Sequence, residues 1–344
     1  MGTRADAAPL DPAAIRSVLV VRINGRLGNT LFMTPLLRQL HAWLPQASID
    51  LAVSYPNATT LLAGLPGLDR VLVFPHKGGA GMASRYFGAL RALRQRQYDL
   101  AIEPTQFSTS GRIVLGLSRA RSRLGFATET QWAPLTHAVP PPPHSLHMGA
   151  EPVYLLARGL ERPFESASVR LWLPLSAAEH AAAQQALAAA LARAGIRDDA
   201  GAAATPAAMF GFFAHATGLK HLGQTWWREF WAAFLQLAPE ARPVEFLPSP
   251  TTPPVDPAFA ALHLPAQRLL TAAIAGTRMF ICADGGPMHL GSSTDTPVIG
   301  LFNGHTNPQL YGPLKGSDRS LEVRDRTPGA VALEVYALWS GAGK

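Results

Sequence analysis

RMFICADGGPMHLGSSTDTPVIGLFNGHTNP, residues 278 to 308, runs from one apolar stretch to another through a polar, glycine-bearing turn. Met279 to Ala283 is apolar and stops at Asp284, and Gly285, Gly286 and Pro287 follow. A short helical piece from Met288 to Ser293 leads into a second apolar run, Pro297 to Phe302. The pattern predicts strand, loop, helix and strand. In a parallel sheet a ligand sits beyond the carboxyl ends of the strands, and glycines let the backbone approach it closely. A helix beginning there turns its free N–H groups and positive dipole end toward the ligand, which suits a phosphate. Asp284 has the wrong charge for a phosphate, so it is expected to take sugar hydroxyls or to orient a neighbouring donor. His289 is expected at the same mouth. An isolated D-G-G-P string, by contrast, reads as an ordinary turn with a capping aspartate.

Outward from this segment, the totals set limits. The 344 residues are 48% hydrophobic, enough for two cored domains. A charged share of 15% excludes a disordered chain. Cys282 is the single cysteine and lies in an apolar run, where a buried inert thiol is expected and no internal disulfide can form. Residues 1–15, rich in Ala, Asp and Pro, read as a loose disordered tail without the basic start and apolar core of a signal peptide, and no apolar stretch reaches the length of a membrane span. The expectation is a cytoplasmic protein. A net charge of +7 suits phosphate-bearing partners: nucleotide, anionic membrane face or nucleic acid. Nucleic acid ranks last, because zinc-finger spacing, a ribonucleoprotein motif and a basic stripe interleaved with aromatics are all missing.

Short apolar runs alternate with helical stretches along the whole chain. Ser17 to Ile23 reads as a buried strand feeding N-G-R-L-G-N and the helical TLFMTPLLRQLHAWL, with Pro35 near the helix start. Gly25 and Gly28 lack the order of a dinucleotide fingerprint. Leu51 to Val53, Val71 to Phe74 and Leu100 to Glu103 read as further strands, separated by helices such as Ala83 to Arg96, which argues a parallel α/β sheet. The alanine-rich run from Ser176 reads as a confident helix and residues 198–208 as a surface loop. Met209 to Ala214 is a strand delivering His215 to Lys220 to a sheet edge. In the helix from about Thr225, Trp227, Phe230, Trp231 and Phe234 recur at core spacing. Lys220, with Thr217 beside it, supplies a point charge and a hydroxyl to a diphosphate, against the plainer reading of a solvated lysine.

Three strings, taken in order, carry a resemblance. L-G-N-T-L-F-M-T-P-L-L-R-Q-L, followed by Y-D-L-A-I-E and S-R-A-R-S-R-L-G-F, comes first. H-A-T…K-H-L-G-Q-T-W-W-R-E-F is the second, and D-G-G-P-M-H-L-G with T-P-V-I-G-L-F-N the third. Together they resemble the family-9 glycosyltransferases, the lipopolysaccharide heptosyltransferases, over about residues 17–313. The resemblance implies two Rossmann-like domains facing across a cleft (the GT-B type of α/β fold). Residues 16–172 would form an acceptor-binding domain and 173–344 a nucleotide-sugar-binding domain, with the final helix open to packing back on the first. It implies an inverting transferase that uses no metal and no cofactor, with ADP-heptose as donor and a lipopolysaccharide core as acceptor. Peripheral contact with the cytoplasmic face of the inner membrane would follow. Thr217, Gly218, Lys220, Asp284, Gly285, Gly286, Pro287 and His289 would hold the donor, with Lys220 taking the diphosphate charge.

The chain departs from the family where an aspartate serves as general base, for it has Asn29, and an amide cannot take a proton. Either Asn29 only positions the acceptor or Glu103, ending a strand at the same edge, is the base; the plainer reading of Glu103 is a surface ion pair. After Leu247 an acid that reads the donor ribose is replaced by SPTTPP, with Asp256 beyond it. Arg112, Arg119 and Arg121, with Arg123, form a basic cluster expected to meet an anionic acceptor or its membrane. Histidines at metal-ligand spacing and a G-x-S-x-G elbow are absent from the sequence. Two alternatives stay open: a non-catalytic nucleotide-sugar or carbohydrate binder that lost its base, and a hexosyltransferase of the same fold.

Overall fold

The computed structural model describes residues 8–75, 79, 81–128, 135–196 and 208–341. The chain divides into two compact units, Met1–Pro174 and Leu175–Lys344.

Unit 1 contains β1 (Ser17–Arg22), α1 (Leu27–Leu31), α2 (Thr34–Trp43), β2 (Ser48–Val53), α3 (Ala58–Leu61), β3 (Leu68–Val73) and α4 (Met82–Arg94). It continues with β4 (Leu100–Glu103), α5 (Thr109–Leu117), β5 (Ser122–Phe126), β6 (His137–Val139) and α6 (Glu151–Gly159). Its six strands lie in the order β3-β2-β1-β4-β5-β6 and pair in parallel throughout. β1 is central, and from Val18 to Arg22 every side chain is buried, as a strand covered on both faces requires. Pro35 falls in the first turn of α2, where its missing N–H costs nothing.

Unit 2 contains α7 (Ala177–Arg193), β7 (Met209–Phe213), α8 (Gln224–Leu237), β8 (Arg242–Leu247), β9 (Ala260–His263) and α9 (Gln267–Ala275). It ends with β10 (Met279–Ala283), α10 (Gly286–Ser292), β11 (Val298–Phe302), α11 (Pro308–Tyr311), β12 (Arg319–Glu322) and α12 (Pro328–Ser340). The sheet order is β12-β11-β10-β7-β8-β9, again parallel throughout. Counted from the first strand of each unit, both sheets have the doubly wound Rossmann order. α7 starts with a reciprocal capping box, in which Ser176 accepts from Glu179 N and the Glu179 side chain accepts from Ser176 N. Glu179 also pairs with Arg268 on α9 at 2.5 Å, and that bond chiefly holds its carboxyl down at about 2. Trp227, Phe230, Trp231 and Phe234 of α8 form one aromatic stripe in the core with Phe210 and Phe212 of β7. The buried face of α12, Val331, Ala332 and Val335, packs against α8 in this same core.

Four strands have no counterpart in the sequence reading: β5, β6, β9 and β12. β9 and β12 sit at the sheet edges, and β12, R-S-L-E, buries only Leu321, so it shows no continuous apolar run. Of the tail expected over 1–15, residues 1–7 lie outside those described. Pro12–Ala14 forms a 3-10 turn capped by Asp11, and Ile15 is buried. The alanine-rich loop expected over 198–208 likewise lies, up to residue 207, outside the described residues.

Candidate functional site

In each sheet the strand order reverses between two neighbours, β1 and β4 in unit 1 and β7 and β10 in unit 2. The crevice beyond the carboxyl ends of such a pair is where this fold takes ligands. In unit 2, Lys220 and Asp284 follow those two strands and meet: Lys220 Nζ donates to Asp284 Oδ2 at 2.9 Å. The Asp284 side chain is 7% exposed, that of Lys220 34%. The buried carboxylate therefore anchors an ammonium that remains open to water. Gly218 has φ +63 and opens the 3-10 turn Gly218–Lys220 that brings the lysine back to Asp284; a side chain there would strain the left-handed backbone. Thr217, just before this turn, is exposed and its hydroxyl makes no capping bond.

Gly285 precedes α10 in extended backbone that any residue adopts, and a Cβ would lie 3.7 Å from Ala283 O, an ordinary contact. The chain's own packing therefore does not demand glycine at 285. Gly286 and Pro287 form the first turn of α10, a helix of seven residues. His289 is buried along with Met288, Leu290, Gly291 and Ser292, because this short helix is packed among α9, β10 and β11. It is 7% exposed, not open at the mouth as expected. Cys282 is fully buried and burial pushes its thiol well up, in keeping with an inert side chain.

A support that the sequence reading missed is Glu245. It is wholly buried on β8, accepts from Val255 N at 2.7 Å and lies 3.1 Å from His215 Nε2, tying the loop after β8 to the loop after β7. Its signal was an acid inside the apolar run Pro243 to Leu247. Asp256 is not free to take a ribose on Oδ1, which accepts from Ala258 N at 2.9 Å. Asn303, after β11, donates to Leu219 O at 2.7 Å and braces the Lys220 turn from the other side.

In unit 1, Asn29 on α1 accepts from Arg22 Nη2 at 2.7 Å and donates through Nδ2 to Asn24 Oδ1 at 3.0 Å. An aspartate could accept from Arg22 but could not donate to Asn24, so this arrangement suits an amide. Glu103 closes β4 with no exposed surface. One carboxylate oxygen accepts from Thr105 N and from the Thr105 hydroxyl; the other accepts from Arg112 Nε at 3.1 Å. Burial pushes the carboxyl up to about 7, against the opposing pull of Thr105, Arg112 and Arg22. That value would suit a base, but access does not: a base must reach the proton it takes, and both Glu103 oxygens are occupied inside the protein. Glu103 is also not the surface acid of the plainer reading. Nearby, Glu151 at the start of α6 is buried, accepts from the Gln106 side chain, and is shifted upward by burial. The sequence reading assigns no site role to Glu151 or Gln106.

The basic cluster does not assemble at this mouth. Arg112 is 3% exposed and its guanidinium joins Glu103 to the Phe126 carbonyl. Arg119 and Arg121 lie just before β5, at the amino ends of the strands, whereas Glu103 lies at the carboxyl end of β4, which pairs in parallel with β5. Arg121 pairs at 3.4 Å with Asp99, which itself accepts from the backbone N–H groups of Arg16 and Ser17 at the start of β1. Among the described residues no three His, Cys, Asp or Glu side chains converge as metal ligands, and no helix is long and apolar enough to cross a membrane.

Residues 265–331, from the start of α9 to α12, match the model of glycosyltransferase family 9 (heptosyltransferase). No curated protein sequence matches the chain. Among solved structures, a family-9 glycosyl transferase from Veillonella parvula superposes with a TM-score of 0.73 at 18% identity, covering 98% of this chain and 91% of that one. The E. coli heptosyltransferase WaaC with ADP gives 0.71 at 19%, covering 94% and 99%. The E. coli ADP-heptose lipopolysaccharide heptosyltransferase II gives 0.69 at 17%, covering 96% and 100%. At these identities the likeness establishes the fold. The fold is that of the heptosyltransferase structures, two Rossmann-like units of the GT-B type, and the family-9 match lies in the segment that holds Asp284.

Proposed function

We propose that the protein is an inverting, metal-independent glycosyltransferase that moves heptose from ADP-heptose onto a lipopolysaccharide core or related surface glycan, at the cytoplasmic face of the inner membrane. The observation that carries this reading is the Lys220–Asp284 pair at the reversal point of the second sheet, on the edge of the segment that matches family 9. As the sugar–oxygen bond breaks, negative charge grows on the leaving diphosphate. An ammonium already oriented by a buried carboxylate stabilises that charge without reorganising. Thr217 adds a hydroxyl, and the ADP in the WaaC structure supports a nucleoside diphosphate as leaving group.

Unit 1 holds the acceptor in this reading. Because Asn29 is an amide and Glu103 is sealed, transfer rests on positioning and on diphosphate stabilisation: the acceptor oxygen bonds the anomeric carbon as the bond to the diphosphate breaks, and the hydroxyl proton goes to water. A second reading, a nucleotide-sugar-binding protein without turnover, is favoured by the amide arrangement of Asn29 with Arg22 and Asn24. A thermal-shift panel of nucleotide-sugars followed by an ADP-release assay with lipopolysaccharide core separates the two. The transferase reading expects stabilisation by ADP-heptose and release of ADP only with acceptor. Stabilisation without release would establish the binder, and a preference for a hexose donor would move the protein to a hexosyltransferase of the same fold.

A further inference from the structure

We infer that Phe107 is an aromatic platform on which a sugar ring of the acceptor stacks, an inference that rests on the glycosyltransferase reading. The connection from Pro104 to Ser108 leaves the carboxyl end of β4, one of the two strands at the reversal point of the first sheet. It is anchored on both sides of the phenylalanine. Thr105 is bound to Glu103 through backbone and hydroxyl, and the Gln106 side chain is bound to Glu151. Ser108 caps α5 by accepting from Gly111 N at 3.1 Å.

Between these anchors Phe107 is 82% exposed, the highest value for any large apolar side chain among the described residues. A phenyl ring left in water forgoes the gain of burial, and with both neighbours tied down the ring is displayed at the mouth instead of folding into the core. One face of a pyranose carries only C–H groups, and an aromatic face covers it through dispersion and desolvation. The surrounding residues favour a saccharide over a lipid surface. Thr109 and Ser110, exposed at the start of α5 just beyond the ring, carry uncharged hydroxyls suited to sugar hydroxyls. An apolar anchor for an anionic membrane is accompanied by several basic residues, and the one basic residue in the sequence from 104 to 117, Arg112, is buried on Glu103.

The test is calorimetric titration of the full chain, with ADP present, using lipopolysaccharide core oligosaccharide freed of its lipid. Phe107→Ala and Phe107→Leu should weaken oligosaccharide binding by roughly 3- to 10-fold, while Phe107→Tyr retains it. Melting temperature and ADP affinity should stay at the wild-type values in all three. Unchanged binding by Phe107→Ala, or a leucine that serves as well as the ring, overturns the platform. So does a loss confined to vesicles of anionic phospholipid with oligosaccharide binding intact. If the wild type binds ADP but Phe107→Ala changes nothing, only the platform falls; if the wild type binds neither ADP nor oligosaccharide, the glycosyltransferase reading fails and takes the platform with it.

Discussion

The carboxyl-end mouths of the two sheets occupy the same place in the same strand order, yet they handle charge in opposite ways. In unit 2 a buried aspartate holds out a lysine whose side chain is a third exposed. In unit 1 Arg112 is sealed against Glu103, and Arg22, the last residue of β1, is bound to Asn29. A charge that is to meet an incoming anion has to keep one side in water. A charge whose partner and surroundings are all protein works as a clamp between elements, here joining β4, α5 and the end of β5. A shared topological position therefore marks where a ligand can bind, and the accessibility of each group decides which residues can meet it.

The sharpest way to break this contrast is to open the clamp. Arg112→Met leaves the Glu103 carboxyl buried without its cation, so unit 1 should lose about 3–5 kcal/mol of stability, read by urea unfolding. A loss below about 1 kcal/mol would mean that the pair does not hold the sheet end.

The matching experiment in unit 2 removes the presented charge. Lys220→Ala should lower ADP affinity by about tenfold to a hundredfold, the worth of a charge-assisted contact of about 1.5–3 kcal/mol, with the fold retained and the melting temperature lowered, because the buried Asp284 loses its cation. Unchanged affinity by calorimetry would take Lys220 out of the site.

A smaller effect sharpens the description of Glu103. Its folded-state carboxyl is raised to about 7 by burial, so the native state holds the proton more tightly than the unfolded chain does. Its contribution is therefore fully present below the unfolded value and is lost as pH rises through about 7. Between pH 5 and 8 the melting temperature should fall with rising pH by an amount worth about 1–3 kcal/mol, and Glu103→Gln should flatten that slope. An identical slope in both proteins would assign the titration elsewhere. Glu151, also raised by burial, adds in the same direction.

The smallest effect is expected from Arg119→Ser with Arg121→Ser. Both residues lie at the amino ends of the strands, so stability should change by no more than about 0.5 kcal/mol and acceptor KM should not move. A raised acceptor KM would bring that edge of the sheet into the site.

The fold was legible where local pattern and burial coincide. Met279–Ala283 and Leu100–Glu103 stand in the structure with the ends read from sequence, because apolar runs and stop residues mark central strands. β12 was not legible: an edge strand half in water, with Leu321 alone buried, has neither the run nor the alternation that gives a strand away. In the site, Lys220 and Asp284 could each be read as lying past a strand, since both follow apolar runs and the family strings include them.

By itself, then, the sequence determined the alternation of strand and helix, the aromatic core of α8 and the segment carrying the second mouth, all properties of residues close together in the chain. Only the tertiary structure decided the rest. Lys220 meets Asp284 because β7 and β10 are neighbours in the sheet although far apart in sequence. Arg112 separates from Arg119 and Arg121 because α5 carries the chain from the carboxyl end of β4 back to the amino end of β5, the return that a parallel pair requires. Glu103 is sealed because Arg112 and Thr105 close over it. Sequence distance is blind to such pairings, since burial and partner choice are set by which strands lie side by side.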